Sequence, residues 1–491
     1  MSIRRKMAGG AGALALGQAG SQVCSFARNV IIARMISKDD FGIASTFFIA
    51  VSLLEMVSNL GADRLLVQAA DGDDPRFQRT AQLLQVVRGI LIGAAMFLLA
   101  HPVARLFGIP HVEWAFQCMA LVPVLRGFAH LDVSRLQRHM RFGPDAMLSF
   151  SMQLLPLALA WPVAAWLNDY RAMLVLIFAQ VGTQVVFSHL LAERKYGWAV
   201  STTFASRIII FGWPLLINGL LLFGTFQGDR LIVGSLYGME PLAEYGVAFM
   251  LTMAPAIMLT KITATLFLPA LSSKQADPVV FHRRYSLSFE LLTIIAAFVA
   301  GLFVVAGGPL VELIYGSRYS TAGTLVAWLG VMQGVRLLRT TQANAAIALA
   351  DTWQVMASNL FRAFAFVAML IAAVQSAPLV VIAMCGLGGE VIAFTYTALA
   401  LKTRRGLPAG SSIRAGAILM VCMGLAIIAK QFAGSSVWQA GLAYLVTASA
   451  MVAVAAVFSP HLLAERRRFR QRRGAATSAG NAAEFNTEAH P

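Results

Sequence analysis

Charge is what this sequence has least of. Asp, Glu, Lys and Arg make up 13% of its 491 residues, about half the share of an average soluble domain. That excludes an ordinary solvated surface. Cysteine is also scarce. Cys24, Cys118, Cys385 and Cys422 all fall in apolar stretches, with no CxxC pair and no zinc spacing. They read as small core residues, and no metal site is expected. No Walker A, HExxH or GxSxG string occurs, which removes the usual marks of ATP hydrolysis and of hydrolytic catalysis. No cofactor is expected, and the chain is not read as an enzyme. Acidic residues number 23 against 39 Lys and Arg, a formal charge of +16. Such an excess can mean nucleic acid; its placement here means something else.

What the chain has is apolar sequence: 58% hydrophobic residues and a mean hydropathy of +0.70. A spanning helix needs about 20 mostly apolar residues. Windows of that kind fall near 9–33, 41–61, 80–100, 111–130, 145–167, 171–192, 207–226, 243–268, 286–307, 321–339, 353–373, 378–400, 412–431 and 437–458. The fold class is therefore an all-α integral membrane protein of about 14 transmembrane helices. The first window is too long for a signal-peptide core of about 7–15 residues, so it reads as an uncleaved span. With the N-terminus in the cytoplasm, roughly two thirds of the 39 Lys and Arg fall on that side, as the positive-inside rule requires. Arg336 and Arg339 are assigned to one such inside cluster. Both termini are then cytoplasmic, and topology accounts for the net charge without nucleic acid. The ERRRFRQRR run and the small polar tail after it read as a disordered basic anchor at anionic lipid, or a docking site for a partner.

Polar residues inside the spans are the candidates for function. Gln18, Gln22, Ser25, Arg28 and Asn29 recur at steps of three and four, so they share one helix face. A stripe ending in a cation should line a cavity. Gln78, Gln82, Gln85 and Arg88 form a second stripe. Five cations lie within spans: Arg28, Arg88, Arg126, Lys261 and Arg362. Glu55 and Arg88 share a depth, as do Arg362 and Glu390; each pair is either a structural bridge or part of substrate or ion coupling. Arg126 lies about a turn from the cytoplasmic end, where snorkelling competes with a cavity role. Lys261 follows Pro255, which frees a carbonyl as in cavity-lining helices; there too snorkelling is the competing reading.

The chain also repeats itself. NVIIARMISKDDFGIASTFF from Asn29 matches DRLIVGSLYGMEPLAEYGVAFM from Asp229. Ile32-Ala33 aligns with Ile232-Val233, Phe41-Gly42 with Tyr245-Gly246, and Ala44 with Ala248. Repeats in transporters flank a central site. The spacing gives an N-terminal lobe at 1–206, a C-terminal lobe at 207–401, an extra helix pair at 402–458 and a basic tail at 459–491.

The string IARMISKDDFGIASTFFIAVSLLEMVSNLGADRLLVQ resembles the start of the polysaccharide transporter (Wzx-like) family of the multidrug/oligosaccharidyl-lipid/polysaccharide (MOP) flippase superfamily. The acidic-Phe-Gly step, the Asn-Leu-Gly that follows and the Leu-Val-Gln carry the likeness. It implies two pseudo-symmetric six-helix lobes around a central cavity. It implies a flippase in the bacterial inner membrane, moving polyprenyl-diphosphate-linked oligosaccharide units for exopolysaccharide, capsule or O-antigen. Partners implied are that lipid-linked glycan, the bilayer, and glycan-assembly proteins such as a polysaccharide polymerase. The cavity should then be cationic. Diphosphate wants Arg or Lys, and sugars want amides and aromatic faces. The substrate-binding candidates are Arg28, Lys261, Arg88, Arg126, Arg362, Gln18, Gln22, Gln85, Trp213, Asn218 and Gln333. For the amides the competing reading is helix–helix hydrogen bonding. Glu55, Glu244 and Glu390 are candidates for coupling to H+ or Na+, or for structural ion pairs. Two rivals remain open: a cation-coupled multidrug exporter, which should place acidic residues at the cavity centre, and a non-transporting scaffold for glycan synthesis.

Overall fold

The computed structural model describes residues 3–58, 60–273, 275, 277–434 and 436–464, with side chains from residue 17 onward except at 57, 352 and 456. Lys274 and the basic run beyond 465 lie outside the described residues. The described chain is helical without a strand. In order come α1 (Ile3–Met35), α2 (Lys38–Ser58), α3 (Ala62–Gln68), α4 (Pro75–Leu106), α5 (Glu113–Met119), α6 (Leu121–Gly127), α7 (Asp132–Arg138), α8 (Gly143–Leu167) and α9 (Arg171–Leu190). Then follow α10 (Thr202–Leu236), α11 (Met239–Ser272), α12 (Pro278–Tyr315), α13 (Ala322–Ala348), α14 (Thr352–Val374), α15 (Leu379–Arg405), α16 (Ala409–Phe432) and α17 (Val437–Val457).

Among the described residues, ten helices are long and apolar enough to cross a membrane. They are α4, α8, α9, α10, α11, α12, α14, α15, α16 and α17. The other four expected spans fall on α1, α2, α13 and the pair α5–α6. The window at 111–130 is not one helix. Pro123 has no N–H to offer the Met119 carbonyl, and α5 ends there.

Local signals place the ends. Ser37 Oγ accepts the Asp40 N–H at 3.0 Å, so the SKDD string is an N-cap that starts α2 with two acids in its first turn. Asp74 caps α4 by accepting the Arg76 N–H, with Pro75 at the first helical position. Gly61, at φ +62°, turns the chain from α2 into α3. The two repeat copies make equivalent corners: Ile36-Ser37 joins α1 to α2, and Tyr237-Gly238 joins α10 to α11.

The chain packs as two compact units. The first holds Met1–Ala254, Val311–Leu325 and Ala363–Gly386; the second holds Pro255–Leu310, Val326–Arg362 and the rest from Leu387. In the first, α1 lies along α8, with Gly17 against Ala146 and Gly20 against the Phe150 ring. In the second, Tyr285, Phe289, Leu292 and Leu338 are fully buried around α12 and α13. There the Tyr444 hydroxyl donates to the Phe298 carbonyl at 2.6 Å, tying α17 to α12. Glu290 accepts the N–H groups of His461 and Leu462 at the start of the turn beyond α17.

Candidate functional site

A cavity of about 520 Å³ opens within the first unit. Its walls come from α2, α3, α4, α6, α7, α8, α9 and α10, four of which can cross a membrane. It is polar for such a place. Arg64, Arg88 and Arg126 line it together with Glu55, Asp63 and Asp145, and Gln85 and Gln184 add amides. Cations and carboxylates are balanced, so this lining is mixed rather than cationic.

Glu55 and Arg126 form an ion pair where α2 and α6 end. This corrects the expected pairing of Glu55 with Arg88. Equal depth is necessary for a contact but does not say which helix faces which. Arg88 instead reaches the Ser58 carbonyl at 3.5 Å. Gln85 donates to the carbonyls of Arg126, Gly127 and Ala129 at 3.1–3.3 Å. It thereby satisfies the open end of α6 while lining the cavity.

The rest of the α4 stripe serves a buried node that sequence reasoning passed over. Asp132 is fully buried. Its carboxylate accepts from Arg135 Nε at 2.6 Å, Gln78 Nε2 at 3.2 Å, and the backbone N–H groups of Glu193 and Arg194 at 2.8 and 3.3 Å. Burial pushes this carboxyl up, yet the Arg135 guanidinium and those N–H groups outweigh it and hold it down at about 2. Arg135 also reaches Glu193, which Arg141 holds as well. Beside it, His130 Nδ1 accepts the Asp132 N–H at 3.0 Å, and Nε2 donates to the Arg194 carbonyl at 3.0 Å. Those contacts select the neutral tautomer with its proton on Nε2. Gln82 is 3.2 Å from the same Nδ1. The available signal was the i,i+3 spacing of Asp132 and Arg135 in LDVSRLQR.

The other candidates lie elsewhere. Arg28 is buried in α1, and its Nη1 donates to the amide oxygens of Gln180 at 2.7 Å and Gln153 at 3.4 Å. Gln18 is half-buried and Gln22 exposed; none of the three lines the cavity. Trp213 and Asn218 are exposed on α10. Glu244 pairs with Lys38 at 2.7 Å and accepts from Thr321 at 2.6 Å.

In the second unit, Lys261 is exposed on α11 and Gln333 is buried in α13. The expected pair of Arg362 and Glu390 is present at 3.0 Å. It is part of a larger set, since Arg336 and Arg339 meet the same carboxylate at 2.8 and 3.0 Å. These two arginines, expected in a cytoplasmic-side cluster, thus also meet a buried carboxylate. Hydropathy ends the window at 339, but α13 runs on to Ala348, which puts both arginines near its middle.

A family model described as polysaccharide biosynthesis protein matches residues 31–323, well over half of the chain. The chain belongs to this family. Its sequence is 22% identical over 324 residues to the succinoglycan biosynthesis transport protein ExoT of Rhizobium meliloti (strain 1021). That match covers 65% of this chain and spans 65% of ExoT. It is 20% identical over 393 residues to the lipopolysaccharide biosynthesis protein WzxC of Escherichia coli (strain K12), covering 77% of each. Among solved structures, the lipid II flippase MurJ in an inward closed conformation superposes with a TM-score of 0.72 at 10% identity, over 92% of this chain and 99% of that one. The fold of this family member is thus MurJ-like, and it is a multi-pass membrane fold.

Proposed function

We propose that the chain is a flippase that moves polyprenyl-diphosphate-linked oligosaccharide units across the bacterial inner membrane, with both termini in the cytoplasm. The observation that carries the reading is the polar cavity walled by eight helices, four of them able to cross a membrane, with the Glu55–Arg126 pair in its lining. Intramembrane ion pairs beside a cavity are costly to keep and mark a transport path. Family membership and the name of ExoT as a succinoglycan biosynthesis transport protein support the same reading. Alternating access would proceed by rocking of the six-helix lobes at 1–206 and 207–401. Arg126, Arg88 and Arg64 would meet the diphosphate, and Gln85 and Gln184 the sugars. Arg28, whose Nη1 donates to the amide oxygens of Gln180 and Gln153, would present a further cation. Glu55 is our candidate for coupling to H+ or Na+: protonating it would release Arg126 for phosphate.

The multidrug-exporter reading draws on Glu55, Asp63 and Asp145 in the lining. One experiment separates the two. Membranes of a strain lacking the protein are extracted, and polyprenyl-diphosphate oligosaccharides are quantified by leaflet. Complete units should accumulate on the cytoplasmic leaflet, and wild-type protein should clear them. Arg126→Ala and Arg28→Ala should each leave them stranded at normal protein level. An unchanged pool with normal surface polysaccharide would reject the flippase reading in favour of drug export.

A further inference from the structure

The two copies of the sequence repeat are held to each other at one end by polar contacts. Lys38, in the first copy, donates to Glu244, in the second, at 2.7 Å, and the Thr321 hydroxyl donates to the same oxygen at 2.6 Å. Beside this pair, two arginines cap each other's helices. Arg34, at the end of α1, donates from Nε to the Ile314 carbonyl at 2.7 Å and from Nη2 to the Leu313 carbonyl, at the end of α12. Arg318, just beyond α12, donates to the carbonyls of Ile36 and Arg34 at 2.7 and 3.1 Å, at the end of α1. All of these residues belong to the first compact unit. By sequence, Glu244 and residues 313–321 belong to the expected C-terminal lobe, and Arg34 to Lys38 to the N-terminal one.

Such contacts are easily broken and remade. Arg34 and Arg318 are exposed, and water can replace a guanidinium on a helix-end carbonyl without stranding it. What lies beneath pulls the other way. Tyr315 and Tyr319 are fully buried with their rings 6.1 Å apart, and Tyr319 meets Phe41 of the first copy edge-on at 6.4 Å. Neither tyrosine hydroxyl has a hydrogen-bond partner among the described residues. An unmet hydroxyl disfavours the state that buries it, and water admitted at this end would meet both. Exposed ionic contacts thus favour closure and two buried hydroxyls favour opening, the balance that a two-state element needs.

We propose that the Lys38–Glu244–Thr321 contacts and the Arg34–Arg318 caps form a reversible latch on the outer end of the transport path, and that Tyr315 and Tyr319 bias it toward opening. The proposal rests on the flippase reading for which side is outward and for what passes; the latch itself rests on the contacts. With both termini in the cytoplasm, the α1–α2, α10–α11 and α12–α13 corners face outward together. The acidic step of the repeat is then put to two uses. Asp40 and Glu244 precede the aligned Phe41-Gly42 and Tyr245-Gly246. Asp40 stays within its own lobe, accepting the Tyr170 N–H at 3.3 Å, whereas Glu244 crosses to Lys38 of the other copy.

The test uses the full-length protein in nanodiscs with nitroxide labels at Asp39→Cys and Ser320→Cys, both exposed beside the latch. Cys118 and Cys385, the two cysteines that are not buried, are changed to serine. Electron spin resonance reads the distance between the labels, and one short distance should dominate. Glu244→Gln should raise the share of a longer distance about two- to fivefold, and the swap Lys38→Glu/Glu244→Lys should restore the short one. Adding Tyr315→Phe/Tyr319→Phe to Glu244→Gln should cut the longer population at least about fivefold. A distribution that none of these variants moves overturns the latch. A shift with Glu244→Gln that the phenylalanines leave in place overturns the part given to the tyrosines. Bridging the same two cysteines with a cleavable bismaleimide in spheroplasts should strand complete lipid-linked units on the cytoplasmic leaflet, and cleavage should clear them. Normal export with the bridge in place overturns the gating role. A latch that responds to Glu244, with an unchanged lipid-linked pool in the deletion strain, would keep the two-state element and reject the flippase reading.

Discussion

At the scale of single residues, the charges buried in this protein divide by what holds them. Asp132 is saturated: two side chains and two backbone N–H groups converge on it. Removing a buried, paired carboxylate strands its cation, at a cost of about 3–5 kcal/mol. Asp132→Ala should therefore lower the thermal unfolding midpoint sharply, or abolish detergent-stable protein, while Asp145→Ala should be mild by the same assay. The pH dependence has a definite sign. The Asp132 carboxyl titrates at about 2 in the fold and near 3.9 in an unfolded chain. Its stabilisation is complete above about pH 4 and is lost as pH falls toward 2. Melting curves of wild type should diverge from those of Asp132→Asn at neutral pH and converge under strong acid. Glu55 and Arg126 pose a different question. If they act as a pair, Glu55→Arg and Arg126→Glu should each abolish export, and the double swap should recover part of it. No recovery would mean that the lone charges matter and the contact does not.

At the scale of elements, close approach decides which helices pair. The Gly42 position on α2 faces the backbone of Met239, the first residue of α11. A Cβ there would lie 2.1 Å from the Met239 carbonyl oxygen. Overpacking of that kind costs about 1–3 kcal/mol. Gly42→Ala should lower the melting temperature measurably, whereas Gly182→Ala, with open space around its Cβ, should not. The Phe-Gly step of the sequence thus has a packing reason: Phe41 is buried and Gly42 admits the neighbouring helix. Helix existence was legible from hydropathy nearly everywhere, because a membrane span must be apolar along its whole length. The exceptions are instructive. The 111–130 window hid a break at Pro123, and the 321–339 window stopped at the polar stretch 340–344, through which α13 continues to Ala348. The helix carries Arg336 and Arg339 inward because Glu390 meets them.

At the scale of the whole molecule, orientation is the open quantity that a simple measurement reaches. Basic residues concentrate on one side of the expected topology. A C-terminal green fluorescent protein fusion should fluoresce, and a C-terminal alkaline phosphatase fusion should be inactive. The opposite pattern would invert every assignment of side made here. A collapsed H+ gradient should slow export by wild type. If Glu55 is the coupling group, Glu55→Gln should export at a reduced rate that no longer responds to the gradient. A response equal to that of wild type would remove Glu55 from that role.

The sequence by itself determined the membrane class, the helical content, the repeat at Asn29 and Asp229, and the family. Each of these follows from chain-local quantities: apolar length, the period of polar positions, and strings of neighbouring residues. The tertiary structure alone decided the partners. It gave Glu55 to Arg126 rather than Arg88, gathered three arginines on Glu390, and buried Asp132 among groups that lie about fifty to sixty positions away. Depth along a helix can be counted from the sequence. The direction a helix face takes depends on crossing geometry between helices far apart in the chain, and periodicity carries no record of it.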